Sequence, residues 1–327
     1  MSVPTMKAVG VTDFGDPDVL KLVDVPRPSA GPGQIRIRVH AATVNPGDTL
    51  LRVGDLADIL RAGPLDPPYR PGMEAAGIVD EIGPGTQTDL RVGDRAMVIV
   101  MPIDATGGAY AEYLAVDADQ ATHAPAGSTH VEAATLPMNG LTARLALDVL
   151  NLDPGETLAV TGSAGAVGGY AIQLAKADGL RVIAEAAAAD DNLVATLGAD
   201  QIVARGQDVG QRIRQWWPEG VAAVVDAALQ GADVEAAIRD GGQLAVLRGL
   251  GERRSAALGN ARGIVVREVW VPRYTHAHAK LDELRSLTEQ GMLTLRVART
   301  YPAAEAAEAH RALQAGGIRG RLVLTFD

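Results

Sequence analysis

Thr157-Leu-Ala-Val-Thr-Gly-Ser-Ala-Gly-Ala-Val-Gly-Gly-Tyr-Ala-Ile-Gln-Leu-Ala-Lys176 is the stretch on which the reading of this chain turns. Residues 157–161 form a short apolar strand pattern. Gly162, Gly165 and Gly168 punctuate the turn after it, and Val167, Ala171, Leu174 and Ala175 then recur at helical spacing. A strand that runs into a glycine turn and opens a helix offers unpaired backbone N–H groups and the positive end of the helix dipole to an anion, the arrangement that receives a pyrophosphate. The spacing is G-x-x-G-x-x-G rather than G-x-G-x-x-G, so on the motif alone a glycine-rich turn without a ligand stays open.

Downstream, residues 181–184, 201–204, 222–226 and 243–247 read as further buried strands separated by helical patterns. That alternation is the signature of βαβ units and a parallel sheet. Upstream, from Met6 to about His123, the texture is different. Residues 35–40 (Ile-Arg-Ile-Arg-Val-His) alternate apolar and polar side chains, as a half-buried strand does, and Gly/Pro turns recur at residues 28–33, 46–47, 67–72 and 83–85. After Pro272 come a helix over 279–290, a strand over 293–299, a helix over 303–314 and a strand over 321–326.

Composition narrows the function. In 327 residues, 30 Lys and Arg stand against 40 Asp and Glu, a net charge of −10. This excludes a general nucleic-acid or anionic-membrane binder, which needs a basic footprint, though not a local basic pocket for a phosphate. There is no cysteine, hence no disulfide, thiolate zinc site, iron–sulfur cluster or Cys nucleophile. The longest apolar run, residues 96–103, is far short of a membrane helix, and residues 1–11 lack the pattern of a signal peptide, so a cytoplasmic protein is expected.

Several segments in order resemble the medium-chain dehydrogenase/reductase superfamily in its zinc-free quinone oxidoreductase (zeta-crystallin-like) branch. They are Met6-Lys-Ala-Val, Val44-Asn-Pro-Gly-Asp48, Pro71-Gly-Met-Glu-Ala-Ala-Gly-Ile-Val79 and Val92-Gly-Asp-Arg95. Gly108-Ala-Tyr-Ala-Glu-Tyr113, Gly140-Leu-Thr-Ala143, the glycine turn, Leu197-Gly-Ala-Asp200 and Gly320-Arg-Leu-Val-Leu324 continue the series, so that the resemblance spans essentially the whole chain. It implies an α/β protein: a GroES-like β domain over 1–127, a Rossmann doubly wound parallel sheet domain over 128–272, and a return segment over 273–327 that completes the first. The active site would lie in the cleft between the domains.

Zinc-dependent relatives carry Gly-His-Glu where this chain has Gly72-Met73-Glu74, so no catalytic zinc is expected. His276-x-His278 reads as solvated surface. The implied chemistry is direct hydride transfer to an electron-poor carbon of a quinone or α,β-unsaturated carbonyl, with the cofactor carrying the reaction and the protein aligning the partners. By resemblance, Asn45 and Thr142 lie near the nicotinamide or substrate, while Tyr69 and Tyr110 are the candidates for a proton donor. The implied cofactor contacts are Gly162, Ser163, Ala164, Gly165, Ala166, Val167 and Gly168 in the turn, then Ala186, Arg205, Leu247 and Arg321.

Cofactor choice rests on the end of the second Rossmann strand. Ala186 stands at the position where an acid selects NAD(H), which permits NADP(H); a one-residue shift would make Glu185 that acid and NAD(H) the cofactor. The Ser and Lys that relatives use for the 2′-phosphate are absent, and Asp190 and Asp191 would repel it unless they point away. Arg205 is the compensating cation, and Arg321 matches a basic residue that approaches the pyrophosphate. Arg248 replaces a usual glycine and reads either as a substrate contact or as a solvent-facing side chain. Of the tryptophans, Trp216-Trp217 reads as packing, and Trp270 lies on the last Rossmann strand, which pairs across a dimer in relatives. The expected protein is a homodimer acting on a small molecule, with no nucleic acid or membrane partner. Two other functions stay open: a biosynthetic tailoring reductase of enoyl or polyketide-type intermediates, and a non-catalytic crystallin-like nucleotide binder.

Overall fold

A computed structural model describes residues 4–247 and 262–326. The chain divides into two compact units. One takes the chain up to Met138, then Pro272–Glu289 and the residues from Leu295 on; the other is Asn139–Val271 with Gln290–Thr294.

The first unit is built on β1 (Thr5–Gly10), β2 (Lys21–Pro26), β3 (Gln34–Thr43), α1 (Pro46–Val53), α2 (Ala57–Ala62), β4 (Glu74–Ile82), β5 (Arg95–Ile99), β6 (Tyr113–Asp117), β7 (Ala121–His123) and α3 (His130–Ala133). Strands β1 and β2 form an antiparallel ribbon. In β3, Ile35, Ile37 and Val39 are buried while Arg36, Arg38 and His40 are not, which is the period-two pattern of a strand with one face on the core. β3 is also the organiser: β4 lies along one edge, and β6 shares the other with the final strand of the chain.

The second unit holds α4 (Pro137–Leu150, most of it), β8 (Thr157–Thr161), α5 (Ala166–Ala177), β9 (Arg181–Ala186), α6 (Asp191–Thr196), β10 (Gln201–Ala204), α7 (Val209–Trp216), β11 (Val221–Asp226), β12 (Ile238–Leu247) and β13 (Val265–Val269). All six strands are parallel in the order β10-β9-β8-β11-β12-β13, the doubly wound Rossmann arrangement. β11 is buried along its whole length, as a central strand covered on both faces must be. Ala159, Ile183, Val224, Leu244 and Val246 pack from the sheet against Val209, Ile213 and Val234.

The chain then returns to the first unit with α8 (His278–Glu289), β14 (Val297–Pro302), α9 (Ala306–Ala315) and β15 (Arg321–Thr325). β15 pairs antiparallel with the end of β3 and parallel with β14, which completes a seven-stranded sheet. The strand expected over 293–299 begins later, at Val297. Thr294 is held instead by the second unit: its backbone N–H donates to Gln173 Oε1 at 3.1 Å and its hydroxyl accepts from Gln173 Nε2 at 3.0 Å. Among the described residues no helix is long and apolar enough to cross a membrane.

Candidate functional site

In the second unit the carboxyl ends of the strands carry the glycine turn. Gly162 has a φ of +59°, a backbone state that an L side chain rarely adopts, and it starts the turn directly after β8. A Cβ on Gly168 would stand 2.4 Å from the Gly162 carbonyl oxygen, so only a glycine lets α5 come this close to the strand end. Ser163 is fully buried and its hydroxyl donates to the Val160 carbonyl at 2.8 Å. Ala164 is buried, Gly165 caps α5, and Ala166 and Val167 form its half-buried first turn, where helical N–H groups lack intrahelical acceptors. Beside the turn, Thr161 donates to Asp226 across the ends of β8 and β11 at 2.7 Å, and Asp226 accepts the N–H groups of Gln230 and Gly231. Leu247 ends β12 and is buried.

On β9, the strand next to β8, Glu185 decides the local electrostatics. Its side chain is fully buried. Oε2 accepts the Gly162 N–H at 2.9 Å, and Oε1 accepts from Arg205 Nε at 3.1 Å and from Gln230 Nε2 at 3.4 Å. The carboxylate thus fixes the first residue of the glycine turn and a cation at the end of β10 at once. Arg205 itself is half exposed, and among the described residues only its Nε is engaged. Ala186 lies buried at the end of β9 and its carbonyl accepts the Arg205 backbone N–H at 2.7 Å. Asp190 is buried and Asp191 exposed. Thr142 sits half-buried on α4.

The first unit carries a second polar centre. Asn45 precedes α1, with Pro46 pre-set for the first helical position. Asp48 reaches back to cap this turn: Oδ2 accepts the Asn45 N–H at 2.8 Å and the Tyr110 hydroxyl at 3.2 Å, and Oδ1 accepts the Gly72 N–H at 2.7 Å. Burial nevertheless outweighs these three donors and pushes the Asp48 carboxyl up to about 7. On the other side of Asn45 the fully buried Glu74 pairs with Arg321, whose Nη2 also donates to the Thr43 hydroxyl and, at 2.8 Å, to Asn45 Oδ1. The Asn45 amide nitrogen makes longer contacts of 3.3 and 3.4 Å to the Thr43 hydroxyl and to Glu74. Glu74 Oε2 accepts the Met138 N–H in the first turn of α4 at 2.6 Å.

These positions sort the sequence-derived candidates. Arg321, expected near a pyrophosphate, is buried in the first unit and committed to Glu74, Thr43 and Asn45. A cation in a desolvated strand takes the nearest buried carboxylate, and β15 brings it to that carboxylate beside β3. Tyr110, expected as a proton donor, has no surface to offer a substrate: it is fully buried, its hydroxyl lies between Asp48 and His310 Nε2 (3.3 Å), and burial with the adjacent Asp48 holds the phenol well above its ordinary range. Tyr69 is buried with its ring stacked on Phe14 at 5.8 Å, and its backbone pairs with Val11. No hydrogen bond from its hydroxyl occurs among the described residues. Arg248 lies outside the described residues.

Sequence reading missed Glu74 as a charge partner, the buried His310, and Asp48. Of these, Asp48 had a visible signal, because an N-cap Asn followed three residues later by an acid is the spacing of a capping box. The His276 and His278 rings bind within the first unit, His276 Nδ1 to Asp119 at 2.8 Å and His278 Nδ1 to the Ala121 carbonyl at 2.8 Å. Trp217 packs on the second unit's core, whereas Trp216 and Trp270 are exposed.

Comparison with known proteins gives a consistent family. Residues 31–126 match the alcohol dehydrogenase GroES-like domain, and residues 197–324 match a family described as zinc-binding dehydrogenase. The chain is 34% identical over 210 residues to the chloroplastic quinone-oxidoreductase QR1 of Triphysaria versicolor, a match that spans 62% of each protein. Among solved structures it is similar to the quinone oxidoreductase from Coxiella burnetii, with a TM-score of 0.85 at 29% identity over 99% of this chain and 100% of that one. It is also similar to a mycobacterial protein solved in complex with NADPH, with a TM-score of 0.82 at 30% identity over 98% and 100%.

Proposed function

Because the chain belongs to the medium-chain dehydrogenase/reductase superfamily as a quinone-oxidoreductase-like member, we propose that it is a zinc-independent, NADPH-dependent reductase of a quinone or an α,β-unsaturated carbonyl. The observation that carries the cofactor choice is the state of Glu185. Its two carboxylate oxygens are spent on Gly162, Arg205 and Gln230 inside the protein, which leaves it unsuited to receive ribose hydroxyls as an NAD(H) selector would. What it presents instead is Arg205, whose guanidinium is engaged, among the described residues, through Nε alone. That donor set fits a phosphomonoester, and a charge-assisted Arg–phosphate pair contributes about 1.5–3 kcal/mol.

When bound, a reduced nicotinamide supplies the hydride to the electron-poor carbon of the acceptor. The chain's own residues bind and orient. The turn from Gly162 to Gly168 and the first turn of α5 receive the pyrophosphate, and Ala186 and Leu247 line the cofactor without charge. Asn45 and Thr142 orient the ring and the acceptor; Arg321 holds the Asn45 carbonyl oxygen, and the amide nitrogen makes only the longer contacts to Thr43 and Glu74. Met73 in place of a metal-binding histidine, beside a Glu74 already neutralised by Arg321, supports a reaction without zinc. The proton that completes the reduction comes from solvent or from Tyr69. A second copy of the chain would pair along β13, whose outer edge carries no strand among the described residues and whose Val265 and neighbouring Trp270 are exposed.

The test is a fluorescence titration with NADPH and NADH, repeated on Arg205→Ala. We expect NADPH to bind in the micromolar range and NADH far more weakly. Arg205→Ala should raise the NADPH dissociation constant at least about tenfold, or about 1.4 kcal/mol, without changing that for NADH. Equal effects on both cofactors would remove the assignment of Arg205, and preference for NADH would return the selecting role to Glu185. A positive result justifies screening quinones and enones as acceptors.

A further inference from the structure

We propose that Asp48 is a positioning residue for acceptor reduction: with Tyr110 and His310 it forms a buried hydrogen-bond chain whose direction is set by one proton and which decides how firmly Asn45 is held. The inference rests on the reading of Asn45 given above. It assigns a task to three side chains that the reaction as described leaves unused.

Three observations carry it. First, the chain is sealed and continuous. Asp48, Tyr110 and His310 are fully buried, the Tyr110 hydroxyl lies 3.2 Å from Asp48 Oδ2 and 3.3 Å from His310 Nε2, and the two rings meet edge to face. Second, its carboxyl end holds two backbone segments of the polar centre. Asp48 Oδ2 also accepts the Asn45 N–H at 2.8 Å, and Oδ1 accepts the Gly72 N–H at 2.7 Å. Gly72 has a φ of +104°, and a Cβ there would stand 2.6 Å from Tyr110 Cδ1, so glycine is required for the ring to close on the carboxyl. Third, no cation pairs with Asp48 among the described residues. The charged groups that reach the chain are Arg321 from β15 and Glu74 from β4, which pair with each other, and Arg52 from the next turn of α1, whose charge acts on His310. With burial opposing the charge, the Asp48 carboxyl titrates at about 7.

The donors and acceptors of these side chains allow two states of the chain, one proton apart. With Asp48 ionised, His310 Nε2–H donates to the Tyr110 oxygen and the Tyr110 hydroxyl donates to Asp48 Oδ2. His310 Nδ1, which has no partner among the described residues, then carries only a lone pair. With Asp48 protonated on Oδ2 the chain runs the other way: that oxygen donates to Tyr110, Tyr110 donates to His310 Nε2, and the imidazole proton sits on Nδ1. The imidazole is neutral in both states, in keeping with a pKa pushed down to about 3. Only in the ionised state is Oδ2 a full carboxylate acceptor for the Asn45 N–H, and such charge-assisted bonds are roughly twice as strong as neutral ones. Loss of the proton therefore tightens the start of α1, whose cap residue Asn45 orients the acceptor.

The experiment is the pH dependence of kcat/KM for para-benzoquinone and cyclohexenone, from pH 6 to pH 8 with the reduced cofactor saturating. It is run on wild type, Asp48→Asn, Tyr110→Phe and His310→Leu, with the thermal midpoint of each protein. We expect wild type to gain at least about threefold along one ionisation at about 7, and Asp48→Asn to give a flat profile. The two neighbours should move the inflection in opposite directions by about half a pH unit or more. Tyr110→Phe moves it upward, because the carboxylate loses a donor. His310→Leu moves it downward, because the Tyr110 hydroxyl keeps Asp48 as its acceptor. Residues that merely support packing would move no inflection. A flat wild-type profile, an inflection that persists in Asp48→Asn, or one that stays in place in both neighbour variants would overturn the proposal and leave the reductase reading standing. No reduction of either acceptor by wild type, with NADPH or NADH, would remove the reductase reading and this inference with it. Should Asp48→Asn fail to fold, the opposite shifts of the other two variants decide; should either of those fail, Asp48→Asn decides.

Discussion

The two units of this chain each contain an arginine held by a buried glutamate, and they use the pair in opposite ways. In the first unit Arg321 is buried with Glu74 and spends its guanidinium on Glu74, Thr43 and Asn45, all of them protein groups. In the second unit Glu185 is as deeply buried, but Arg205 is half exposed and, among the described residues, engaged only through Nε. The same ion pair is therefore a fastener in one place and a mount in the other. What separates the roles is how many of the five guanidinium N–H groups the protein itself satisfies and how much water reaches the rest.

The contrast can be broken by experiment, and the largest effect belongs to the buried pair. Glu74→Ala leaves a desolvated guanidinium without its counter-charge and should cost about 3–5 kcal/mol in denaturant-derived stability. A loss below about 1 kcal/mol would mean that Arg321 finds other partners and that the first unit's pair is no fastener. Asp48→Asn tests the neighbouring cap. The folded Asp48 pKa of about 7 lies above its ordinary 3.8, so its contribution falls as pH rises between these values and is flat above them. The stability of wild type relative to Asp48→Asn should accordingly drop by at least about 1 kcal/mol from pH 4 to pH 8, measured by urea unfolding at each pH.

Arg205→Ala sharpens the other half of the comparison. Removing the half-exposed cation leaves the fully buried Glu185 carboxylate held only by Gly162 and Gln230, so this variant should lose about 1–3 kcal/mol of stability, less than Glu74→Ala, while it loses NADPH binding. The smallest effect concerns acid. His310 is fully buried with Nδ1 unpartnered, and burial with the nearby Arg52 pushes its pKa down to about 3. The imidazole stays neutral in the fold where an unfolded chain would protonate it, so stability is lost as pH falls from about 6.5 toward 3. His310→Gln removes this term, and its acid-unfolding midpoint, followed by circular dichroism, should lie lower by about half a pH unit. A midpoint equal to that of wild type would place the acid response elsewhere, His130 being the next group held low, at about 4.

The legible parts of the molecule share a cause. β8 and β10 end at the residues where the apolar pattern ends, and α5 starts beside the glycine spacing, because a buried parallel strand and a phosphate turn are dictated by side chains within a dozen residues. The polar centre around Asn45 was legible only in its local half. Asn45 and Asp48 are three residues apart and announce a helix start. Glu74 and Arg321 reach the same centre from 29 and 276 residues away, and no short-range pattern records that distance. Tyr110 shows the same limit: as a letter it is an acid within an appropriate segment, and only packing shows it sealed between Asp48 and His310.

The sequence by itself therefore determined the α/β class, the glycine turn, the absence of any thiol chemistry and the likeness to a dehydrogenase family, since each depends on composition or on neighbours in the chain. The tertiary structure decided which charges meet. It gave Arg321 to Glu74 and turned Glu185 inward to Gly162 and Arg205, because an ion pair forms wherever folding brings desolvated opposite charges within reach, however far apart they stand along the chain.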